Sequence, residues 1–122
     1  MTSRQVRQPS PEHPIDIGPA GRRVTVKVGG NVIAQTDDAL ELREAKYPPV
    51  LYIPREHVRM ESLERSAHTT YCPFKGDANY YSVPALGDRG RNGVWTYEAP
   101  YEAVAAIREH LAFYPDRVEI DS

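Results

Sequence analysis

The sequence is short of cysteine, of charge of one sign and of long apolar runs, and each shortage excludes a class of protein. One cysteine in 122 residues cannot form a disulfide within the chain, which argues against a small secreted scaffold. A formal net charge of -2 supplies no broad cationic field for phosphate backbones or anionic membranes. The N-terminal residues lack the apolar core of a signal peptide, and no run approaches a membrane span. We therefore expect a cytoplasmic protein that binds neither nucleic acid nor membrane.

Nitrogen and sulfur ligands for a metal are scarce as well. Closed zinc sites use four such ligands, commonly from closely spaced pairs of cysteine or histidine. This chain has one cysteine and four scattered histidines. The sequence therefore predicts no metal site, and nothing in it indicates another cofactor.

Proline and tyrosine are plentiful instead. With 11 prolines and 8 tyrosines, the composition favours short segments separated by turns over long helices. A chain of this length suits one domain, which we expect to be a monomer or a homodimer. Residues 1–20 contain several of the prolines and few large apolar groups, so they predict an extended or disordered N-terminal arm. Residues 21–122 then form the single folded domain.

Alternation of apolar and polar residues predicts strands over much of the chain. Val24, Val26 and Val28 share one face of the first strand. Gly29 and Gly30 suit the positive φ angles of a tight hairpin turn, after which NVIAQTD returns as the second strand. Further short strands are predicted in ALELRE, VLYI, AHTTYC, ANYYSV, VWTYE, LAFY and RVEI.

One stretch has the pattern of an amphipathic helix. After Pro100, apolar residues recur at helical spacings, at Tyr101, Val104, Ile107 and Leu111. The segment PALGDRGRNG, between two predicted strands, is expected to be a long and mobile polar loop. The fold class is therefore mainly β, either a small antiparallel open barrel or two packed sheets, with one covering helix.

Four segments together carry a family resemblance: YIPRE, TYCPFKGDANYYSV, WTYEAPYEAV and HLAFYPDRVEI. They resemble the domain-of-unknown-function family numbered 427, which is sometimes labelled nucleotidyltransferase-like. The resemblance runs from Val24 to Ile120 and implies a compact, mainly β domain with a ligand cleft. A nucleotidyltransferase would need a Gly-Ser element followed by paired aspartates that hold magnesium, and this arrangement does not occur here. His57 stands where the family has an acidic residue.

The lone cysteine lies in HTTYCPFKGDANYY, at the end of a predicted strand and before a turn predicted at Lys75–Asp77. Lys75 can reach the Cys72 thiol if the chain curls back, and a neighbouring cation favours the thiolate. Cys72 and Lys75 are therefore the candidate catalytic pair, a nucleophile and its activating cation. A buried cysteine that packs as a small apolar residue is the alternative. His68 lies about 13 Å along the same strand and is too distant to be the direct base.

Aromatic residues gather on the strands that follow the cysteine. Tyr80, Trp95 and Tyr97 are the candidate ligand-binding wall, on which a planar ligand would stack, and an aromatic core with hydrogen-bonded polar tips is the alternative. Because neighbours along a strand face opposite sides, only one of Tyr80 and Tyr81 can share a face with Trp95. Arg55 is the candidate anion contact, with a solvated surface charge as the alternative.

These features favour a small-molecule binding domain with a cleft near Cys72, for a ligand that is flat and can be anionic. A thiol-dependent enzyme with Cys72 as nucleophile is the alternative, and a non-catalytic interaction module that uses the arm and a sheet edge is a third. At the level of sequence the three remain open, as does the question of whether any reaction is catalysed.

Overall fold

Ten strands form two antiparallel sheets in the computed structural model, which describes residues 4–122. The strands are β1 (Ile15–Pro19), β2 (Val24–Val28), β3 (Asn31–Thr36), β4 (Leu40–Glu44), β5 (Val50–Pro54), β6 (Glu64–Cys72), β7 (Gly76–Ser82), β8 (Val94–Thr96), β9 (His110–Phe113) and β10 (Glu119–Asp121). Four 3-10 helices lie between them, at Arg55–His57, Met60–Ser62, Pro84–Gly90 and Glu102–Ile107. The larger sheet has the order β1-β4-β5-β9-β8-β7-β6, and the smaller has the order β10-β2-β3. The mainly β prediction is confirmed, and neither sheet closes into a barrel.

The main core lies between the two sheets. Val24 and Val26 of β2 are fully buried there, as the alternation of the first strand predicts. Tyr81 of β7 and Leu111 of β9 reach the same core from the larger sheet. The smaller sheet therefore covers one face of the larger one.

A second core lies on the opposite face of the larger sheet. Leu42 of β4, Tyr52 of β5 and Tyr80 of β7 are all buried in it. Tyr80 and Tyr81 thus face opposite sides, as their adjacency in a strand requires, and Tyr80 is the one opposite Trp95 in the ladder between β7 and β8. This second core places aromatic side chains around a cavity described below.

The predicted helix after Pro100 is a 3-10 segment, Glu102–Ile107, rather than a regular α-helix. Its regular geometry breaks at Val104, whose φ and ψ are -124° and 27°. Val104 and Ile107 are fully buried and cover the second core, as the apolar stripe predicts. Leu111, the last residue of that stripe, lies in β9 and faces the core between the sheets. Within residues 4–122 no helix is long and apolar enough to cross a membrane.

The N-terminal arm is extended and docks on the domain, and its last residues form β1, which pairs with β4 along its whole length. Residues 1–3 of the predicted arm lie outside the described residues. The Arg4 guanidinium binds the Asp77 carboxylate through contacts of 2.9 and 2.5 Å. The Arg7 backbone N–H donates to the Pro73 carbonyl oxygen at 2.9 Å. The arm therefore crosses the turn between β6 and β7, and the sheet begins within the predicted arm.

The long polar loop between β7 and β8 is anchored rather than free. Most of it forms the 3-10 helix Pro84–Gly90. The Arg117 guanidinium, from the C-terminal turn, donates to the carbonyl oxygens of Arg89 and Arg91 at 3.0 and 3.1 Å. These contacts could not be predicted from the loop itself because Arg117 is distant in the sequence.

Candidate functional site

A tight turn brings the predicted cysteine and lysine together. The Lys75 backbone N–H donates to the Cys72 carbonyl oxygen at 3.2 Å, with Pro73 at the second position, where its fixed φ suits a turn. Gly76 then opens β7 at a φ of +105°, which side chains rarely adopt. The turn is therefore Pro73–Lys75, two residues earlier than predicted. Lys75 Nζ lies 3.9 Å from Cys72 Sγ.

The Lys75 ammonium is buried and paired with a carboxylate that sequence reasoning did not select. Lys75 is 7% exposed, and its Nζ donates to Glu44 Oε1 at the end of β4. The other Glu44 oxygen, Oε2, accepts from His13 Nε2 at 2.7 Å. The His13 ring stacks on Phe74, with ring centroids 4.1 Å apart. Two donors therefore hold the Glu44 carboxylate.

The ion pair of Glu44 and Lys75 shows that the larger sheet is strongly curved. Glu44 lies on β4 and Lys75 precedes β7, and three strands, β5, β9 and β8, separate β4 from β7 in the sheet. A direct ion pair across that distance requires the sheet to curl around the second core. Glu44 and Lys75 therefore connect β4 with the start of β7 across the concave side of the curved sheet.

The electrostatics of Glu44 favour the ionised carboxylate. Burial raises the pKa of this carboxyl, but the hydrogen bonds and charges of Lys75 and His13 outweigh burial and leave its pKa below the usual range. Glu44 is thus a carboxylate at neutral pH, with its charge balanced from within the site.

A cavity of about 220 Å³ opens beside this ion pair. Its walls come from β4, β5, β7 and β8, from the turn before β7 and from the residues just after β4, β8 and β9. Its lining residues are Leu42, Glu44, Tyr47, Pro48, Val50, Tyr52, Lys75, Tyr80, Trp95, Tyr97 and Tyr114. An engineered cavity of about 150 Å³ in another protein holds one benzene molecule. The cavity here is therefore large enough for one substituted ring.

Trp95 forms one wall and is held by two tyrosines. Its indole Nε1–H donates to the Tyr52 hydroxyl at 3.2 Å, and the two rings meet edge to face at an interplanar angle of 89°. Tyr114 packs against the other side, with ring centroids 4.6 Å apart. The orientation of the indole is thus set by packing and by a hydrogen bond.

Two further hydroxyls supply hydrogen-bond donors to the cavity. Tyr52 is 2% exposed, and its hydroxyl accepts from Trp95 and keeps its own proton for donation. Tyr97 also lines the cavity, and its hydroxyl is open to the cavity space rather than buried without a partner. Burial raises the pKa of both phenols above the usual value, so both remain protonated at neutral pH.

The structure gathers most of the residues that the sequence selected. Lys75, Tyr80, Trp95 and Tyr97 all line the cavity. Cys72 lies outside that lining, half-buried against the second core. Arg55 lies elsewhere: its guanidinium donates to the Tyr81 hydroxyl at 3.1 Å, on the opposite face of the sheet.

Glu44 and Tyr52 were missed, although the sequence contained a signal for Glu44. In LELRE, residues Leu40, Leu42 and Glu44 share one face by alternation, which places the carboxylate on the buried side. A charged residue on an apolar face is unusual unless it is paired. His13 had no such signal, because its contact depends on how the arm folds over the turn.

The described part of the chain, residues 4–122, contains no group of three or more His, Cys, Asp or Glu side chains placed to hold a metal ion. Glu44 and His13 meet, but their third neighbour is the Lys75 ammonium, which repels a cation. The chemistry available at this site is therefore that of hydrogen bonds, charge and a nearby thiol.

The family model described as a domain of unknown function (DUF427) matches residues 16–122. The chain belongs to this family. The match begins within β1 and includes every strand from β2 onward, which confirms the resemblance seen in the sequence. The DUF427 domain thus contains Glu44, Lys75 and the aromatic lining, whereas His13 precedes the matched residues.

The DUF427 chain is also similar to a protein from Arabidopsis thaliana named glutathione S-transferase DHAR2. The two are 34% identical over 109 residues, which cover 84% of this chain and 51% of the Arabidopsis protein. The chain therefore spans about half the length of this curated relative.

Proposed function

We propose that this domain binds a small, planar ligand in the cavity between Trp95 and the Glu44–Lys75 pair. The ligand presents a hydrogen-bond acceptor, such as a carboxylate or a carbonyl oxygen, to Lys75. The observation that carries the proposal is the gathering of hydrogen-bond donors and aromatic rings around one cavity, where Lys75, Tyr52 and Tyr97 supply donors beside the Trp95 ring.

The donors in the cavity favour an acceptor over a cation. Lys75 has three N–H bonds, of which Glu44 takes one and the Cys72 sulfur faces another, so one remains for a ligand. The hydroxyls of Tyr52 and Tyr97 add two more donors. The only carboxylate in the lining, Glu44, is already held by two donors, so it offers little to a cationic ligand.

The aromatic walls favour a flat ligand over a rounded one. Tyr80, Trp95, Tyr97 and Tyr114 surround a space large enough for one substituted ring. Aromatic rings gain from offset or edge contacts with other rings, worth about 0.5–1.5 kcal/mol beyond the area they bury. A planar ring is therefore expected to bind more tightly than a saturated ring of similar size.

Benzoate tests this proposal directly, because Trp95 is the only tryptophan of the chain and its fluorescence reports on the cavity. We expect benzoate to change the fluorescence saturably, and cyclohexanecarboxylate to bind more weakly. Tyr97→Phe should weaken benzoate binding about tenfold, because it removes one hydrogen bond to a charged group.

Tyr101→Phe is the matched control for that change. The Tyr101 hydroxyl pairs with the Tyr71 hydroxyl at 2.7 Å, and neither residue lines the cavity. This variant should bind benzoate as the wild type does. Equal binding by wild type and Tyr97→Phe, or no saturable response to planar acids, would contradict the proposal.

A thiol-dependent enzyme is the second candidate, and the contact of 3.9 Å between Lys75 Nζ and Cys72 Sγ favours it. Cys72 would attack an electrophile as the thiolate, form a bond through Sγ and expel the leaving group, while Lys75 stabilises the negative charge. The name of the Arabidopsis relative makes glutathione the first thiol co-substrate to test. This candidate also requires a reducing compartment, which agrees with the expected cytoplasmic location.

Alkylation of Cys72 separates the second candidate from simple binding. If Cys72 is a nucleophile, iodoacetamide should label the folded protein at neutral pH faster than it labels free glutathione, with labelling followed by mass spectrometry. Labelling that requires denaturant would show that the thiol is only a packing residue. The planar-ligand proposal is independent of this outcome.

A further inference from the structure

A second cavity adjoins the first and differs from it in character. Its volume is about 410 Å³. It is lined almost wholly by apolar and proline side chains, which are Tyr47, Pro48, Pro49, Val50, Leu51, Trp95, Phe113, Pro115 and Ile120. Among residues 4–122, no charged side chain lines this cavity.

The second cavity exists because two neighbouring strands separate. β5 and β9 pair at only two positions, Ile53 with Leu111 and Pro54 with His110. Ahead of Ile53, the first half of β5 diverges from the end of β9. Proline has no N–H to donate to a ladder, so the prolines on both sides, before β5 and after β9, help to keep the gap unpaired.

Trp95 lies between the two cavities and contributes to the wall of each. Tyr47, Pro48, Val50 and Trp95 line both of them. Glu44, Lys75, Tyr52 and Tyr97 line only the first cavity. The apolar residues Leu51, Phe113 and Ile120 line only the second cavity.

We propose that both cavities bind one amphiphilic ligand, a planar ring with a polar acceptor and a hydrocarbon substituent that passes Trp95 into the gap between β5 and β9. This inference rests on the proposed function and adds the class of ligand. Ligand sites usually measure about 300–1,000 Å³. The first cavity alone, at about 220 Å³, is smaller than that range, and the two together fall within it.

The polarity of the lining fixes the orientation of the ligand. Its acceptor lies at Lys75, where the donors are, and its hydrocarbon part lies against Leu51, Phe113 and Ile120. An apolar chain loses contact with water in this gap without leaving a polar group unpaired. Each buried methylene should therefore tighten binding about fourfold.

A series of probes tests this inference: benzoate, 4-propylbenzoate and 4-pentylbenzoate, each titrated with Trp95 fluorescence as the readout. We expect binding to tighten about fourfold for each added methylene until the gap is full. Propionate and hexanoate, which have a chain but no ring, should bind far more weakly than the matching ring compounds.

Two variants place polar groups in the gap. Ile120→Asn changes a half-buried wall residue, and Pro49→Gln changes an exposed residue at the rim. Because Pro49 is exposed, its variant should fold even if Ile120→Asn is unstable. Both should bind benzoate as the wild type does and lose most of the gain from the pentyl chain. Pro11→Gln, at an exposed proline outside both cavities, should retain that gain.

The outcomes distinguish the two proposals. If benzoate binds at Trp95 and chain length has no effect, the amphiphilic-ligand inference is overturned and the planar-ligand proposal stands. If no ring compound binds, both are overturned. If the pentyl gain is unchanged in Pro49→Gln and Ile120→Asn, the chain lies elsewhere and the inference is wrong.

Discussion

Replacing Glu44 with glutamine should lower the free energy of unfolding by about 3 kcal/mol, because it leaves a buried ammonium without its carboxylate. Lys75 is 7% exposed, and Glu44 is its only charged partner within residues 4–122. Truncating one member of a buried ion pair typically costs more than the pair itself contributes to stability. Urea unfolding followed by Trp95 fluorescence measures the loss.

Asp37→Asn is the matched control, since it makes the same chemical change in an exposed pair. The side chains of Arg23 and Asp37 are 64% and 62% exposed. Pairs of this kind contribute about 0–1 kcal/mol. The double variant Glu44→Gln with Lys75→Met should recover stability relative to Glu44→Gln alone, because no buried charge is left without a partner. Equal stability of the Glu44 and Asp37 variants would show that the buried pair has no special role.

Replacing Gly90 with alanine should destabilise the fold by about 3 kcal/mol, because there is no space for a methyl group. A Cβ at Gly90 would lie 2.2 Å from the Val83 carbonyl oxygen. The Gly90 carbonyl oxygen also accepts from the Val83 N–H at 2.9 Å, and this bond closes the loop between β7 and β8. The backbone must therefore shift, and the loop loses its closing contact.

Gly18→Ala is the control for that substitution. A Cβ at Gly18, in β1, would meet nothing within 4 Å. Its stability should stay within about 1 kcal/mol of the wild type or rise slightly, as alanine restricts the unfolded chain. If both alanine variants unfold at the same urea concentration, the close packing at Gly90 is not significant for stability.

The strands could be predicted from the sequence because their apolar faces repeat with a period of two. The hairpin of β2 and β3 around Gly29 and Gly30 is the clearest case. The same period puts Tyr80 and Tyr81 on opposite faces, whereas the register of β7 and β8 decides that Tyr80 is the one opposite Trp95. Local alternation thus predicts which side chains of one strand share a face.

The pairing of Glu44 with Lys75 could not be predicted in this way. The two residues are 31 positions apart, and their contact depends on the strand order and on the curl of the larger sheet. The covering helix after Pro100 was predicted, but its end at Ile107 could not be, for a related reason. The Glu109 N–H donates to the Tyr97 carbonyl oxygen at 3.1 Å, so a tertiary contact rather than helical propensity decides where the segment ends.

The position of Cys72 predicted the neighbourhood of the site but not its lining. Cys72 is held close to Lys75 by the turn at Pro73, as one prediction required, but it lies outside the cavity lining. The lysine, not the thiol, reaches the cavity. Binding at the cavity and reactivity of Cys72 are therefore separate questions, and each has its own test.

The indole N–H resonance of Trp95 provides the most direct test of the account. The chain has one tryptophan, so a ¹H–¹⁵N spectrum contains a single indole signal, from the group that donates to the Tyr52 hydroxyl at the cavity wall. Titration with benzoate should shift this signal progressively and saturably in the wild type, and Tyr97→Phe should require about tenfold more benzoate. An indole signal that stays in place while benzoate is added to saturation of its solubility would contradict the central claim that this cavity is a ligand site.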